Sequence, residues 1–178
     1  MSRALTREAP PAPRLAADPA NLVIRSVITT AMPDRIGDVV VPTGMRNADE
    51  FLRNPVVLWA HQRDMPPIGQ CVKLELFPDR VVAETQFARG VPFAEDVFRL
   101  YEQGVLRGWS IGFMPKRSRP LRDGTRYEEW DLLEYSAVPV PENPAALTLA
   151  VAKGLVRDKT LARWLTWAAD VFGDLVAS

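Results

Sequence analysis

The sequence predicts an α+β fold that is mainly β, a closed or nearly closed β-barrel of about seven strands with covering helices. Short apolar segments rich in β-branched residues recur along the chain, separated by proline and glycine turn signals. Helical periodicity is confined to two or three segments. At 178 residues, of which 47% are hydrophobic, the chain is long enough for one domain with a sizeable core.

Seven segments have the composition of strands, and two internal segments have the pattern of helices. The strands are expected over 22–30, 39–41, 55–60, 70–77, 80–87, 108–115 and 126–140. A short helix is expected over 47–53, with Asn47 or Asp49 as its cap. A longer helix is expected to begin at Pro92 and end at Gln103. Its predicted buried stripe comprises Phe93, Val97, Leu100 and Tyr101. The polar segment 116–125 is expected to be a loop.

Three regions follow from this pattern. Residues 1–20 are rich in proline and alanine and are predicted to form a flexible leader. Residues 21–156 form the predicted barrel domain. Residues 157–178 carry an apolar stripe that predicts an amphipathic C-terminal helix. That helix either covers the barrel of its own chain or forms a homodimer interface.

The composition argues against several classes of function. Lys plus Arg and Asp plus Glu both number 22, which gives no positive field for nucleic acid. The single cysteine, Cys71, and the single histidine, His61, cannot form a Cys/His zinc cluster or an internal disulfide. No apolar run is long enough to span a bilayer, and no signal peptide is recognisable. We therefore expect a cytoplasmic protein without metal, cofactor, nucleic acid or membrane partner.

The segment Gly108–Phe113 contains the first candidate catalytic residue, Ser110. Strand alternation places Trp109, Ile111 and Phe113 on one face, and Ser110 and Gly112 on the other. Because Gly112 has no side chain, a ligand or substrate backbone could approach the Ser110 hydroxyl. The alternative is an ordinary strand serine beside a packing glycine.

His61 follows a continuous apolar strand and is the base that such a serine would need. An imidazole, with a reference pKa of about 6.5, titrates near neutral pH without perturbation. A serine hydroxyl needs a positioned base before it becomes a good nucleophile. The alternative is a histidine that hydrogen-bonds backbone at a strand end.

A third group should orient the imidazole, and Glu134 is the candidate. Simple alternation places it on one face with Trp130, Leu132, Ser136 and Val138. A carboxylate among apolar neighbours needs a partner, which could be the histidine or an arginine.

Two further features offer chemistry. The turn Val138–Pro144 contains three prolines, which have no N–H, and its candidate backbone donors to an oxyanion are Glu142 and Asn143. The alternative is a rigid structural turn. Cys71 is an alternative nucleophile, although a lone strand cysteine is usually a buried apolar residue.

Several blocks of the sequence resemble the prohead proteases of tailed phages of the HK97 type. The blocks occur in the family order over about residues 21–146. They are Asp34–Val40, Val57–His61 followed by Pro67–Gly69, Gly108–Phe113, Leu133–Val138 and Pro141–Ala145. The family is distantly similar to the herpesvirus assembly proteases and shares their β-barrel fold.

The resemblance implies a serine endopeptidase that acts inside the procapsid, in the cytoplasm of the bacterial host. Its expected substrate is the scaffold protein or the scaffold-like arm of the major capsid protein, and also itself. On this match Ser110 is the nucleophile, His61 the general base and Glu134 the orienting residue. The herpesvirus enzymes use a second histidine in that third position, and a helix forms their dimer interface.

Two other functions stay open at this point. One is an inactive assembly module that binds capsid protein. The other is a general cytoplasmic binding domain in which the sequence blocks match by coincidence.

Overall fold

The fold was analysed in a computed structural model, and the structure describes residues 22–149. The predicted leader and the predicted C-terminal helix lie outside the described residues. Eight strands and two α-helices occur in the described part of the chain. They are β1 (Val23–Thr30), β2 (Val39–Val40), α1 (Ala48–Phe51), β3 (Val56–Trp59), β4 (Gly69–Leu76), β5 (Arg80–Phe87), α2 (Pro92–Glu102), β6 (Gly108–Leu121), β7 (Gly124–Val138) and β8 (Thr148–Leu149).

The strands form one mixed sheet that is organised around β7. Strand β6 pairs antiparallel with one edge of β7, while β2 and β3 pair parallel with it. From β3 the sheet continues through β4, β5 and β1 to β8. The mainly β class is confirmed. The closed barrel is not confirmed, because only an isolated bridge between Gly108 and Leu147 links the segment before β8 to β6.

The core contains a cluster of aromatic side chains from β5, α2, β6 and β7. Trp109 is fully buried, and its ring stacks on that of Tyr101 at 4.8 Å between centroids. Its indole N–H donates to Thr148 Oγ1 at 2.8 Å. Ile111 and Phe113 pack against the same core. The predicted core-facing side of the Ser110 strand is therefore confirmed.

The segment predicted as a loop over 116–125 is instead the end of a long hairpin. Thirteen residue pairs join β6 and β7, from Gly108–Val138 to Leu121–Gly124. Exposed ion pairs, including Arg117 with Glu128 and Glu129, line the ladder. Alternating charges on a solvent-facing hairpin have a loop-like composition, and this misled the prediction.

The Asp34–Val40 block holds this hairpin in place. Asp38 accepts hydrogen bonds from the Thr125 backbone N–H at 2.7 Å and from the Tyr127 hydroxyl at 3.2 Å. At Gly37, with φ of +87°, a Cβ atom would lie 1.6 Å from the carbonyl oxygen of Asp123. This close approach requires glycine. The block has a structural role in positioning β7.

Both helices differ in detail from their predictions. Helix α1 has four residues, and the Asn47 side chain makes no cap hydrogen bond. Helix α2 buries Ala94, Val97, Phe98 and Tyr101. Phe93 and Leu100, predicted to be buried, are 41% and 36% exposed. The described part of the chain has no helix of the length and apolarity needed to cross a membrane.

Candidate active site

The candidate site begins at a strained turn that follows β3. Ala60 and His61 both have positive φ angles, of 48° and 59°. The N–H of Gln62 closes the turn by donating to the Trp59 carbonyl at 2.9 Å. Two positive φ angles in succession are typical of a type I′ turn, which normally carries glycine or asparagine. For non-glycine residues the left-handed region costs about 1–2 kcal/mol each. Such strain persists where the surrounding structure enforces it, often at functional sites.

A β-bulge in β7 sets the direction of Glu134. Gly112 pairs with Glu134 and Phe113 pairs with Leu132, so Leu133 is an extra residue in β7. A bulge of this kind reverses which residues face the core. Trp130 and Leu132 belong to the core before it, and Tyr135 and Ala137 belong to it afterwards. The single face predicted for residues 130–138 is therefore wrong.

The side chain of Asn47 pairs with β7 just before the bulge. Its Nδ2 donates to the Leu132 carbonyl at 3.0 Å, and its Oδ1 accepts from the Leu132 N–H at 2.8 Å. The amide thus satisfies the backbone next to the irregular position. This is the role of Asn47 in place of the predicted helix cap.

Glu134 and His61 form a close pair. His61 Nδ1 lies 2.7 Å from Glu134 Oε1. The histidine side chain is 40% exposed, whereas that of the glutamate is 3% exposed. No arginine or lysine of the described residues forms an ion pair with this carboxylate, so the His61 ring is its ionisable partner there. When Nδ1 donates to the carboxylate, Nε2 is left as the proton acceptor. This arrangement can orient and activate a base.

Ser136, to which the sequence had assigned no role, completes the network. Its hydroxyl donates to Glu134 Oε2 at 2.8 Å and accepts the His61 backbone N–H at 3.0 Å. Its position two residues after Glu134 was the available signal, because alternate residues of a strand share a face.

Ser110 lies directly across from Ser136 in the β6–β7 ladder. Opposite residues of an antiparallel pair have Cβ atoms about 4.5–5.5 Å apart and share a face. Ser110 therefore lies on the face that carries Glu134 and is 9% exposed. Within residues 22–149 the Ser110 hydroxyl makes no hydrogen bond to the His61 ring. Catalytic hydrogen bonds are often long or poorly aligned before substrate binds.

Gly112 allows the carboxylate to reach this position. A Cβ atom at residue 112 would lie 2.0 Å from Glu134 Oε1. The space that we expected a substrate backbone to use beside Gly112 is therefore filled by the Glu134 carboxylate.

The turn with the predicted oxyanion donors packs at the start of β6. A Cβ atom at Gly108 would lie 2.8 Å from Cδ of Pro141. Arg35 anchors the turn, with its Nε donating to the Pro141 carbonyl at 3.0 Å and its backbone N–H to the Glu142 carbonyl at 3.1 Å. The Asn143 side chain binds Thr30 instead, with its Nδ2 donating to Thr30 Oγ1 at 3.0 Å. That the backbone N–H groups of Glu142 and Asn143 donate to an oxyanion stays a prediction.

Cys71, the alternative nucleophile, lies in the core. It is 3% exposed, and its Sγ donates to the Lys73 carbonyl at 3.2 Å. Burial raises the pKa of the Cys71 thiol above its ordinary value. A buried thiol with a raised pKa is a poor nucleophile at neutral pH.

Other features of the described residues lie apart from this network. No group of three or more His, Cys, Asp or Glu side chains within residues 22–149 could hold a metal ion. A cleft of about 480 Å³ opens beside Asn54, Val56 and Gln70, at the start of β3. Ser110, His61 and Glu134 do not line it. The candidate site, which lies across β6, β7 and the turn after β3, is thus separate from this cleft.

Comparisons with known proteins show which family this chain is similar to. The family model described as caudovirus prohead serine protease matches residues 26–158. A prohead protease of Escherichia phage T5 is 28% identical over 137 residues, which are 74% of this chain and 63% of that protein. A capsid polyprotein of Pseudomonas phage PAJU2 is 28% identical over 155 residues, 83% of this chain.

The chain spans 22% of the length of the PAJU2 polyprotein and 63% of the T5 protease. No solved structure matches. The family match covers most of the chain and includes Ser110, His61 and Glu134. The resemblance found in the sequence is confirmed, and the chain belongs to the caudovirus prohead serine protease family.

Proposed function

We propose that this chain is a serine endopeptidase of procapsid maturation, with Ser110 as nucleophile, His61 as general base and Glu134 as the residue that orients His61. The observation that carries the proposal is the 2.7 Å contact between His61 Nδ1 and the buried Glu134 carboxylate, on the sheet face that also bears Ser110. A base, its orienting acid and a serine on one face are the parts of a catalytic triad.

In the proposed reaction, His61 Nε2 takes the proton of the Ser110 hydroxyl while Oγ attacks the carbonyl carbon of a peptide bond. The tetrahedral oxyanion collapses, the C–N bond breaks, and the imidazolium gives its proton to the leaving amine. Water, deprotonated by His61, then attacks the acyl-enzyme and releases the new carboxylate and Ser110. Glu134 stabilises the imidazolium in both steps.

The substrate we propose is the scaffold protein or the scaffold-like arm of the major capsid protein, with self-cleavage as a further reaction. The family match and the similarity to part of a capsid polyprotein support a substrate of the capsid. The proposed place of action is inside the procapsid in the host cell. A homodimer stays a prediction, because the segment expected to form it lies outside the described residues.

The test is co-expression of the chain with its capsid protein, followed by measurement of cleavage by mass spectrometry. We expect Ser110→Ala and His61→Ala to abolish detectable cleavage, an effect of about 10⁴-fold or more. Glu134→Gln should reduce the rate by about 10²–10⁴-fold, since it removes the charge that stabilises the imidazolium. Cys71→Ala is the matched control and should cleave at the wild-type rate. Undiminished cleavage by Ser110→Ala or His61→Ala would contradict the proposal.

A second candidate, an inactive assembly module that binds capsid protein, is favoured by one observation, the missing hydrogen bond between Ser110 and the His61 ring. A fluorophosphonate probe separates the two functions because it reacts with activated serines. Labelling that requires both Ser110 and His61 supports the protease. A chain that binds capsid protein but never reacts with the probe is the module.

A further inference from the structure

We propose that Ser136 is a positioning residue that holds His61 in its Nδ1–H tautomer by binding the histidine backbone and the Glu134 carboxylate together. The inference rests on the proposed function and adds a residue to its site. Ser136 is fully buried, so its hydroxyl is not itself accessible to a substrate.

The hydroxyl has one donor, which it uses toward Glu134. Glu134 Oε1 faces His61 Nδ1, and Oε2 accepts from Ser136 at 2.8 Å. A buried carboxylate needs donors on both oxygens, since burial without them is costly. With Oε2 bound by Ser136, the carboxylate cannot rotate without losing that bond. Oε1 is thereby kept toward the imidazole.

The same hydroxyl accepts from the backbone of the residue it orients. His61 has a φ of 59°, and its N–H donates to Ser136 Oγ at 3.0 Å. The preceding N–H, of Ala60, donates to the Ala137 carbonyl at 2.9 Å. Both central residues of the strained turn are therefore bound to neighbouring positions of β7. Removing the hydroxyl would leave the His61 N–H without its partner and would loosen the turn.

The place of Ser136 in the sheet explains why one hydroxyl can bind both the His61 backbone and the Glu134 carboxylate. β7 lies between β6, which carries Ser110, and β3, which His61 follows. Ser136 pairs with Ser110 in β6 and with Leu58 in β3. It is therefore the central residue of the row that joins the two strands.

The consequence is a preference between the two neutral forms of His61. A triad needs Nδ1 protonated, so that Nε2 can accept the serine proton. A histidine without a fixed acceptor at Nδ1 populates both tautomers, and a fraction then carries its proton on the wrong nitrogen. Ser136 favours the productive form because it holds both the Glu134 carboxylate and the His61 backbone in place.

The experiment measures this tautomer directly, because His61 is the single histidine of the chain. Untagged protein labelled with ¹⁵N-histidine gives one pair of ring nitrogen signals, whose shifts distinguish Nδ1–H from Nε2–H. We expect wild type, at a pH where the ring is neutral, to be the Nδ1–H form. Ser136→Ala should show a mixture of tautomers and about a 10- to 100-fold lower cleavage rate. Ser136→Thr, which keeps the hydroxyl, should restore the wild-type tautomer.

Ser26→Ala is the matched control. Ser26 is a buried serine of β1 whose hydroxyl has no hydrogen-bond partner among the described residues. Its removal is the same chemical change and should alter neither tautomer nor rate. A folded Ser136→Ala protein with the wild-type tautomer and rate would overturn the proposal. If Ser136→Ala does not fold, Ser136→Cys, a weaker donor of similar size, takes its place, and a wild-type tautomer with it would equally contradict the role.

The two readouts keep this proposal separate from the protease proposal. Full cleavage by Ser110→Ala would remove the proposed reaction, yet the ring nitrogen signals would still report whether Ser136 controls His61. A tautomer that is indifferent to residue 136, together with loss of cleavage by Ser110→Ala, would remove the role of Ser136 alone.

Discussion

The two faces of β7 carry two hydrogen-bonded polar groups of different character. On one face Glu134 and Ser136 bind His61, whose side chain is 40% exposed and whose backbone is strained. On the other face the Tyr135 hydroxyl lies 2.7 Å from Thr85 Oγ1, and both residues are fully buried. Burial raises the pKa of Tyr135 well above its ordinary value. Adjacent residues of one strand thus serve a candidate reaction centre and a sealed structural contact.

The difference shows which features indicate chemistry in a polar cluster. Hydrogen bonding alone does not distinguish the two faces, because buried polar groups are nearly always bonded. Of these two clusters, only the one on the Glu134 face combines solvent access, an imidazole side chain and backbone strain. Changes on that face should reduce activity, and changes on the Tyr135 face should reduce stability.

Gly112→Ala is expected to have the largest effect in this comparison of the two faces of β7, and the effect is on cleavage. The new Cβ would lie 2.0 Å from Glu134 Oε1, so the carboxylate must move away from His61. We expect cleavage to fall by about 10²-fold, as for a misplaced catalytic group, while the domain stays folded. The measurement is the cleavage rate beside thermal unfolding.

Gly69→Ala is the comparison variant. Its Cβ would lie 2.4 Å from the backbone oxygen of Gln86, in the β4–β5 ladder. It should lower the unfolding temperature without changing the rate of the protein that remains folded. Wild-type cleavage by Gly112→Ala would show that the Glu134 carboxylate can move without consequence.

A smaller effect, on stability and not on activity, is expected from Tyr135→Phe. It removes one hydroxyl and leaves the buried Thr85 hydroxyl without that partner, which costs about 1–3 kcal/mol of unfolding free energy. Chemical denaturation followed by fluorescence measures the loss. Cleavage by the folded protein should stay at the wild-type rate. A large loss of activity with unchanged stability would mean that the two faces are coupled.

The smallest effect concerns the pH dependence of stability through Cys71. Because burial raises the pKa of its thiol, the unfolded chain loses this proton at lower pH than the folded chain. Unfolding is therefore favoured as the pH rises above the ordinary thiol pKa of about 8.5, with a slope of at most about 1.4 kcal/mol per pH unit.

Denaturation of wild type and Cys71→Ala between pH 7.5 and 9.5 measures this term. The wild-type protein should lose more stability across the range than the variant does. Equal pH dependence in the two proteins would mean that the thiol ionises alike in the folded and unfolded chains.

The positions of most strands along the chain were predictable from local sequence patterns. Apolar strands such as Val56–Trp59 and Arg80–Phe87 have the β-branched content and flanking turn signals that define strands. The part of the hairpin beyond Pro115 was missed because its charged residues gain their strand conformation from pairing with β7. Phe93 and Leu100 were misplaced because helical periodicity fixes a stripe but leaves its exact centre to packing.

The sequence by itself determined the mainly β class and the family, and it named Ser110, His61 and Glu134 as candidate site residues, because residue type, order and spacing can be read along the chain. Only the tertiary structure decided how these residues meet. The extra residue Leu133 turns Glu134 toward His61, a register effect between two strands that alternation within one strand cannot show. The hydrogen bond from the His61 N–H in the strained turn to Ser136 Oγ likewise joins residues 75 positions apart. Long-range pairing, and no local pattern, brings the base and its carboxylate together.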